Sequence, residues 1–370
     1  MRNRVAYVVG SLTCGGVQNH LLKLIRRLNE RNFDQLVLYQ RAEPAELHDE
    51  FARVARIRLC PYVKGRPLQY IRRLVTLLRE EAPRNVLSFC FGNHLLVSVA
   101  ARMAKVERIY VSVVGDPVAI THSRWRACWL AHLARPFCDG EIAVSESVAR
   151  TLVAEVRLPA CRVRVIHNGC DVEEIRERAE AARHLRTPGA TRRVLMVARL
   201  HRPKDHETLL KAASMLISKG RPVELLLAGD GPERTRLETL ARQLGLAAFT
   251  RFLGTRHDIP ELLGASDAMV LATQSEGFAL AVLEAMAAGT PVVATDIPPC
   301  REALGNGECG LLVPSRDPLA LAVAIEKLFE DETYRRRLTE AAYQRVRELY
   351  DNELMAARYA QLLEGTEHAP

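Results

Sequence analysis

Two glutamates, Glu276 and Glu284, flank the start of an otherwise apolar segment that runs from Ser275 to Gly289. Ser275 and Gly277 mark a turn, and Gly289 followed by Pro291 ends the run, so the pattern predicts a helix over about 278–288. Its faces are nearly all apolar, which implies burial. Glu284 is then expected among Leu283, Ala285 and Met286, where an ionised carboxylate needs hydrogen-bonding partners or a ligand. Glu276 precedes the first turn, beside backbone N–H groups that lack helical partners. Such a helix start attracts phosphate, and carboxylates accept hydrogen bonds from hydroxyls. Phosphate plus hydroxyls suggests a sugar nucleotide. The structural alternative is one acid favoured by the helix dipole and one core glutamate bonded to a neighbouring Arg or amide.

Cations fall at comparable places. The run Val194-Leu-Met-Val-Ala-Arg-Leu leads into His201-Arg-Pro-Lys-Asp205, which puts Arg199 and Lys204 in the loop after a strand. Two cations there can hold a diphosphate and stabilise the charge that develops on it as a bond breaks. Solvated surface charge is the competing account. A second strand, Leu225 to Ala228, ends in Gly229-Asp-Gly-Pro-Glu233, a turn suited to lie near a nucleotide. Near the amino terminus a strand runs into Ser11-Leu-Thr-Cys-Gly15-Gly16, where glycines allow close backbone approach and the next helix start offers N–H groups. This is not Gly-x-Gly-x-x-Gly, so a dinucleotide-binding reading loses its main support.

The elements that must carry these loops alternate from end to end, short β-branched runs with helical segments, as in parallel sheets built from strand-helix-strand units. In the first half the strands are expected at Arg4 to Val9, Gln35 to Tyr39, Asn85 to Phe89, Arg108 to Val113, Gly140 to Val144 and Arg162 to Ile166. In the second they are Val194 to Val197, Val223 to Ala228, Thr250 to Leu253, Ala268 to Leu271, Val292 to Ala294 and Gly310 to Val313. The polar stretch Glu173 to Arg193, with Pro188 and Gly189, is the expected boundary. The division is therefore 1–186, 187–345 and a helical segment 346–370 that crosses back toward the first domain, with the two domains facing a central cleft. Ligands in such folds bind outside the carboxyl ends of the strands, where every loop above lies.

With 370 residues, 48% hydrophobic and 26% charged, the chain reads as globular with room for two cores. The net charge of +8 is uneven: residues 1–186 carry 30 Lys and Arg against 19 Asp and Glu. These basic residues are dispersed along several helices with no DNA- or RNA-binding motif, so an anionic lipid surface or a phosphate-bearing substrate explains them better than nucleic acid. A generic solubilising surface is the alternative. The nine cysteines include no Cys-x-x-Cys pair, and no secretory signal or spanning run is evident. Reduced thiols in a cytoplasmic protein are expected, peripheral at the inner face of the membrane if lipid is involved.

Together these residues resemble the retaining glycosyltransferases of family 4, which have the GT-B fold of two Rossmann-like doubly wound domains. The resemblance covers most of the chain. It is densest from residue 194 to 314, in Val-Ala-Arg-Leu…Lys-Asp, Ala-Gly-Asp-Gly-Pro-Glu, Phe-Leu-Gly…Ile-Pro-Glu-Leu-Leu and Ser-Glu-Gly-Phe…Leu-Glu-Ala-Met-Ala-Ala-Gly. It implies that Arg199 and Lys204 bind the donor diphosphate, that Glu276 contacts sugar hydroxyls, and that the backbone of Gly277, Phe278 and Ala279 binds sugar and phosphate oxygens. Glu284 would take the ribose hydroxyls, and Gly15 and Gly16 would meet the diphosphate from the acceptor side. His167-Asn-Gly-Cys-Asp171 matches the motif that closes the first domain. One departure concerns a histidine near the reacting sugar: Asp116 occupies the place nearer to it, and His122 comes several residues late. Either can face the donor, or His122 can cap the following helix.

The activity implied is metal-independent, cofactor-free transfer of a hexose or N-acetylhexosamine from a nucleotide-diphosphate sugar, a UDP-sugar rather than GDP-mannose. The hydroxyl acceptor would be a glycan or lipid-linked saccharide in cell-surface polysaccharide biosynthesis. A small-molecule acceptor and a sugar-nucleotide 2-epimerase on the same fold are the alternatives, with a non-catalytic nucleotide-sugar-binding protein behind them. Trp125 and Trp129, one helical turn apart among Arg124, Arg126 and Arg135, fit an interfacial helix beside anionic lipid. Core tryptophans with Arg outside would give the same pattern.

Overall fold

The computed structural model describes residues 3–13, 15–43, 45–121, 123–185 and 191–366, in two compact units. The first unit comprises Met1–Gly169 with Asn352–Pro370, and the second Cys170–Asp351.

The first unit holds β1 (Arg4–Val9), α1 (Gly16–Glu30), β2 (Asp34–Tyr39), α2 (His48–Val54), β3 (Arg56–Leu59), α3 (Pro67–Glu81), β4 (Asn85–Ser88), α4 (His94–Met103) and β5 (Arg108–Val113). It continues through α5 (Pro117–Thr121), α6 (Arg124–Ala134), β6 (Gly140–Ala143), α7 (Glu146–Ala154) and β7 (Val163–Val165). The second holds α8 (Val172–Ala182), β8 (Arg192–Val197), α9 (His206–Ser218), β9 (Val223–Ala228), α10 (Arg234–Gln243), β10 (Thr250–Gly254), α11 (Ile259–Gly264) and β11 (Ala268–Leu271). After these come α12 (Leu280–Ala288), β12 (Val292–Thr295), α13 (Pro298–Ala303), β13 (Leu311–Val313), α14 (Pro318–Glu330) and α15 (Glu332–Leu349), and α16 (Asn352–Glu364) returns to the first unit.

Both sheets are parallel, ordered β3-β2-β1-β4-β5-β6-β7 and β10-β9-β8-β11-β12-β13. Their central strands are buried on both faces, so they read as continuous Val, Leu and Ile runs rather than as alternations. Each buried branched side chain contributes about 1.5–3 kcal/mol. In each sheet the chain order reverses once, between β1 and β4 and between β8 and β11, and ligands bind at such switch points.

Three features depart from the sequence expectation. The units divide between Gly169 and Cys170 rather than at 186, because the polar stretch contains α8, whose thin apolar face of Val172, Ile175, Ala179 and Ala182 packs on α11 and α12. The contact with α11 is close: a β-carbon at Gly264 would lie 2.1 Å from the Ala179 carbonyl oxygen. At the other end α15 stays with the second unit and only α16 joins the first, where Tyr359 and Leu363 are fully buried. Finally, β3 was not expected. As an edge strand it reads Arg-Ile-Arg-Leu, and its arginines clamp the buried Glu81, with Arg56 at 2.6 Å and Arg58 at 3.3 Å.

Candidate active site

The switch point of the second sheet brings the predicted charges together. The loop after β8 carries Arg199 and Lys204, and the loop after β11 carries Glu276. Lys204 Nζ donates to Glu276 Oε1 at 2.5 Å, with the two side chains only 20% and 12% exposed. Backbone bonds impose this pairing. The Gln274 N–H donates to the Pro203 carbonyl at 2.8 Å, and Thr273 Oγ1 donates to the same oxygen at 3.2 Å. From outside, Arg316 Nη2 holds Gln274 Oε1 at 2.7 Å.

Arg199 is fixed differently. The neighbouring Ala198 and Leu200 N–H groups donate to the carbonyls of Ala228 and Asp230, each at 3.0 Å. Those bonds require the Gly-Asp-Gly turn to lie against the loop. A β-carbon at Gly229, whose φ is +142°, would sit 2.1 Å from the Ala198 oxygen, and one at Gly231 would sit 2.4 Å from the Leu200 oxygen. The turn that looked weakly informative by itself is thus the backbone clamp behind Arg199. The guanidinium is exposed, and among the described residues it has no carboxylate partner. One cation is therefore held by an acid and one is open to an anion.

The helix after Glu276 starts at Leu280, two residues later than its sequence pattern suggests. Phe278 and Ala279 are buried, and the Phe278 ring packs edge-on against Tyr350 with centroids 5.2 Å apart. Phe278 therefore anchors the loop, and its carbonyl accepts the Leu280 N–H at 3.0 Å. Glu284 is half-buried rather than buried, and it shares its face of α12 with the half-buried Leu280 and Ala281. Glu276 and Glu284 are thus both partly accessible.

Sequence reasoning passed over His206. It opens α9 directly behind Lys204 and is buried, and burial together with the Lys204 charge lowers its imidazole to about pH 4. The signal was present, since His206, Leu209, Leu210 and Ala213 fall at helical spacing on one stripe.

In the first unit, Gly15 and Gly16 begin α1 as expected. Gly15 has φ −175°, extended backbone open to any residue, and its amide plane is fixed by the Asn19 N–H bonding its carbonyl. Around this switch point hydroxyls and amides accompany a cation: Ser11 Oγ lies 3.1 Å from Thr13 Oγ1, Gln18 Nε2 donates to the Ser11 carbonyl, Asn93 Nδ2 donates to Gln40 Oε1, and Arg41 Nη2 would lie 3.7 Å from a β-carbon at Gly10. Asp116 accepts the Val118 N–H at 2.8 Å and so caps α5. His122 lies outside the described residues. The cap of α6 is Ser123, which accepts the Arg126 N–H. Trp125 and Trp129 are 68% and 56% exposed and stacked with centroids 5.9 Å apart, so the core reading of these tryptophans does not hold. Among the described residues no helix is long and apolar enough to cross a membrane.

Comparison with known proteins agrees with this organisation. Residues 14–174 match the family described as Glycosyltransferase Family 4, and residues 177–345 match Glycosyl transferases group 1. The chain is 29% identical over 363 residues to phosphatidyl-myo-inositol mannosyltransferase of Mycobacterium leprae, covering 95% of this chain and 93% of that one. Over 197 residues it is 37% identical to D-inositol 3-phosphate glycosyltransferase of Corynebacterium urealyticum, covering 50% and 46%. Its fold is similar to the crystal structure of Anabaena Alr3699/HepE in complex with UDP-glucose, with a TM-score of 0.85 and 20% identity over 98% of this chain and 99% of that one. The chain is a glycosyltransferase, a member of family 4 with the GT-B fold.

Proposed function

We propose that this enzyme transfers a hexose or N-acetylhexosamine, with retained configuration and without a metal, from a nucleotide-diphosphate sugar to a hydroxyl of a glycan or lipid-linked saccharide. The observation that carries this reading is the Lys204–Glu276 pair at the second switch point, with the exposed Arg199 on the same loop as Lys204. In the working complex Lys204 and Arg199 bind the donor diphosphate, Glu276 accepts hydrogen bonds from sugar hydroxyls, and the backbone of Gly277, Phe278 and Ala279 binds sugar and phosphate oxygens. Glu284, on α12, takes the ribose hydroxyls.

As the bond between the anomeric carbon and the phosphate oxygen breaks, negative charge grows on the diphosphate, and the two cations stabilise it. The acceptor oxygen forms its bond to the anomeric carbon on the same face, and its proton passes to the departing phosphate. No residue acts as a nucleophile in this route.

A UDP-sugar is favoured over GDP-mannose, in keeping with the UDP-glucose complex of Alr3699/HepE. Hydroxyl and amide groups at the first switch point, with Arg41 beside Gly10, suit a carbohydrate acceptor. The exposed tryptophan pair on α6, with Arg124, Arg126 and Arg135, suits peripheral contact with an anionic membrane, and the M. leprae relative is named for a phosphatidylinositol acceptor.

The direct test is a thermal-shift panel of UDP- and GDP-sugars followed by product analysis with lipid-linked and soluble acceptors. A donor present at a hundred times its dissociation constant adds about 2.7 kcal/mol of stability. Stabilisation by UDP-sugars and an α-configured product from an α-configured donor are expected. An epimerised sugar formed without acceptor, or an inverted product, overturns the reading.

A further inference from the structure

At the far end of α12 from the donor loops lies a second cluster of cations, around a pocket of about 600 Å³. Asp267 and Pro291 line it just before β11 and β12, so it opens at the amino-terminal ends of these strands, opposite the loops that carry Lys204 and Glu276. Gly289 ends α12 in the left-handed conformation with φ +67°, and a β-carbon there would lie 2.4 Å from Arg176 Nη1 and 3.0 Å from Arg183 Nη2. Two guanidiniums thus converge on one backbone position.

Their surroundings neutralise them unequally. Arg176 is bonded to Glu180 at 2.6 Å and lies over the Tyr343 ring at 4.8 Å. Arg183 donates to the Ala288 carbonyl at 3.3 Å, and its Nε is buried without a hydrogen-bond partner among the described residues. Burial and the charge of Arg176 both disfavour the Arg183 cation, a cost that a bound anion would relieve. Across the pocket α15 contributes Arg335 and Arg336. Arg335 donates to the Leu328 carbonyl at 3.4 Å and has a longer 3.9 Å contact to Glu332, which is itself exposed. Asp267 is already taken, accepting from Arg192 at 3.2 Å and from the Arg193 N–H at 2.8 Å. Glu332 and Glu340 also line the pocket, both at exposed positions.

We propose that this pocket binds a small phosphate-bearing anion, at a site separate from that of the donor. Guanidinium forks match phosphate oxygens in pairs, and the volume is in the range that holds a metabolite. The carbonyl end of α12 would by itself repel an anion. The convergent arginines stand between that end and the pocket and reverse the sign. This goes beyond the donor assignment and does not depend on it.

The test is calorimetric titration of inorganic pyrophosphate into the full chain at low ionic strength, carried out on the Lys204→Ala protein to weaken the donor site. Saturable binding is expected. The double variant Arg335→Gln/Arg336→Gln should weaken it by about tenfold or more, as loss of charged hydrogen bonds does, while its melting temperature in buffer stays that of the parent. Arg336→Gln alone, at an exposed position, should show a smaller loss in the same direction. Arg242→Gln/Arg251→Gln removes the same charge elsewhere in the second unit and should change affinity by no more than about twofold. Absence of saturable binding, or equal weakening by the two double variants, overturns the proposal.

Discussion

The two switch points share a topology and differ in chemistry. At β8 and β11 the loops carry opposite charges, are bonded to each other through Pro203 and Gln274, and are clamped from behind by Gly229 and Gly231. At β1 and β4 the groups are hydroxyls and amides with Arg41 close by, and Gly15 there occupies ordinary backbone geometry. A site that must manage diphosphate charge needs fixed ions, because preorganised charges need no rearrangement as the bond breaks. Hydroxyl recognition needs only neutral donors and acceptors, which cost less to desolvate. The parallel sheet sets where chemistry can occur, and the loops decide which kind.

The largest break in this contrast is Lys204→Ala. Transfer should fall by on the order of a hundredfold or more, as loss of an electrostatic stabiliser does, measured as kcat/KM for the donor. Glycine substitutions separate the switch points next. Gly229→Ala drives a β-carbon into the Ala198 carbonyl at positive φ and should cost several kcal/mol, read as a lower urea midpoint together with lost activity. Gly15→Ala meets only the flexible end of Gln18, 3.0 Å away, and should cost under about 1 kcal/mol. Near-equal losses for the two alanines would erase the distinction.

Acid tests both units at once, since each hides a neutral imidazole. Burial, assisted by nearby lysine charge, lowers His206 to about 4 in the second unit and His20 to about 3 in the first. In the unfolded chain such a group takes up its proton near pH 6.5, whereas the folded site resists until much lower pH. Stability is therefore intact above pH 6.5 and is lost as pH falls, by about 1.4 kcal/mol per unit for each group. Urea unfolding from pH 7.5 to 4.5 should show this slope, and His206→Gln should flatten it by about one proton. The smallest expected change is Arg199→Ala. It should raise the donor KM by about tenfold and leave the melting temperature nearly unchanged, because the side chain is exposed.

Much of this was legible because parallel strands announce themselves as apolar runs, and their carboxyl ends are where ligands go. Arg199, Lys204 and Glu276 were placed at such strand ends in that way. Their pairing was not legible, since the bonds from Thr273 and Gln274 to Pro203 join residues about seventy positions apart through the backbone. The edge strand β3 escaped because half its residues are arginines whose partners lie on α3 and β2. Likewise α8 was hidden by its composition: four apolar residues on one face suffice for a helix packed against two others, yet the stretch reads as linker. His206 shows the opposite case, a residue marked by helical spacing that the sequence reading did not consider.

The return of α16 to the first unit means that the second unit is, in chain order, an insert and not a tail. Strand β1 and helix α16 belong to the same core, in which Tyr7 and Tyr359 are fully buried. Exchanging the second unit between enzymes of this architecture therefore calls for two junctions, after Gly169 and after Asp351, with the last helix left in place. A chimera cut once and carried to the carboxyl terminus would instead replace a piece of the recipient's own core, and would fail in folding before its specificity could be read.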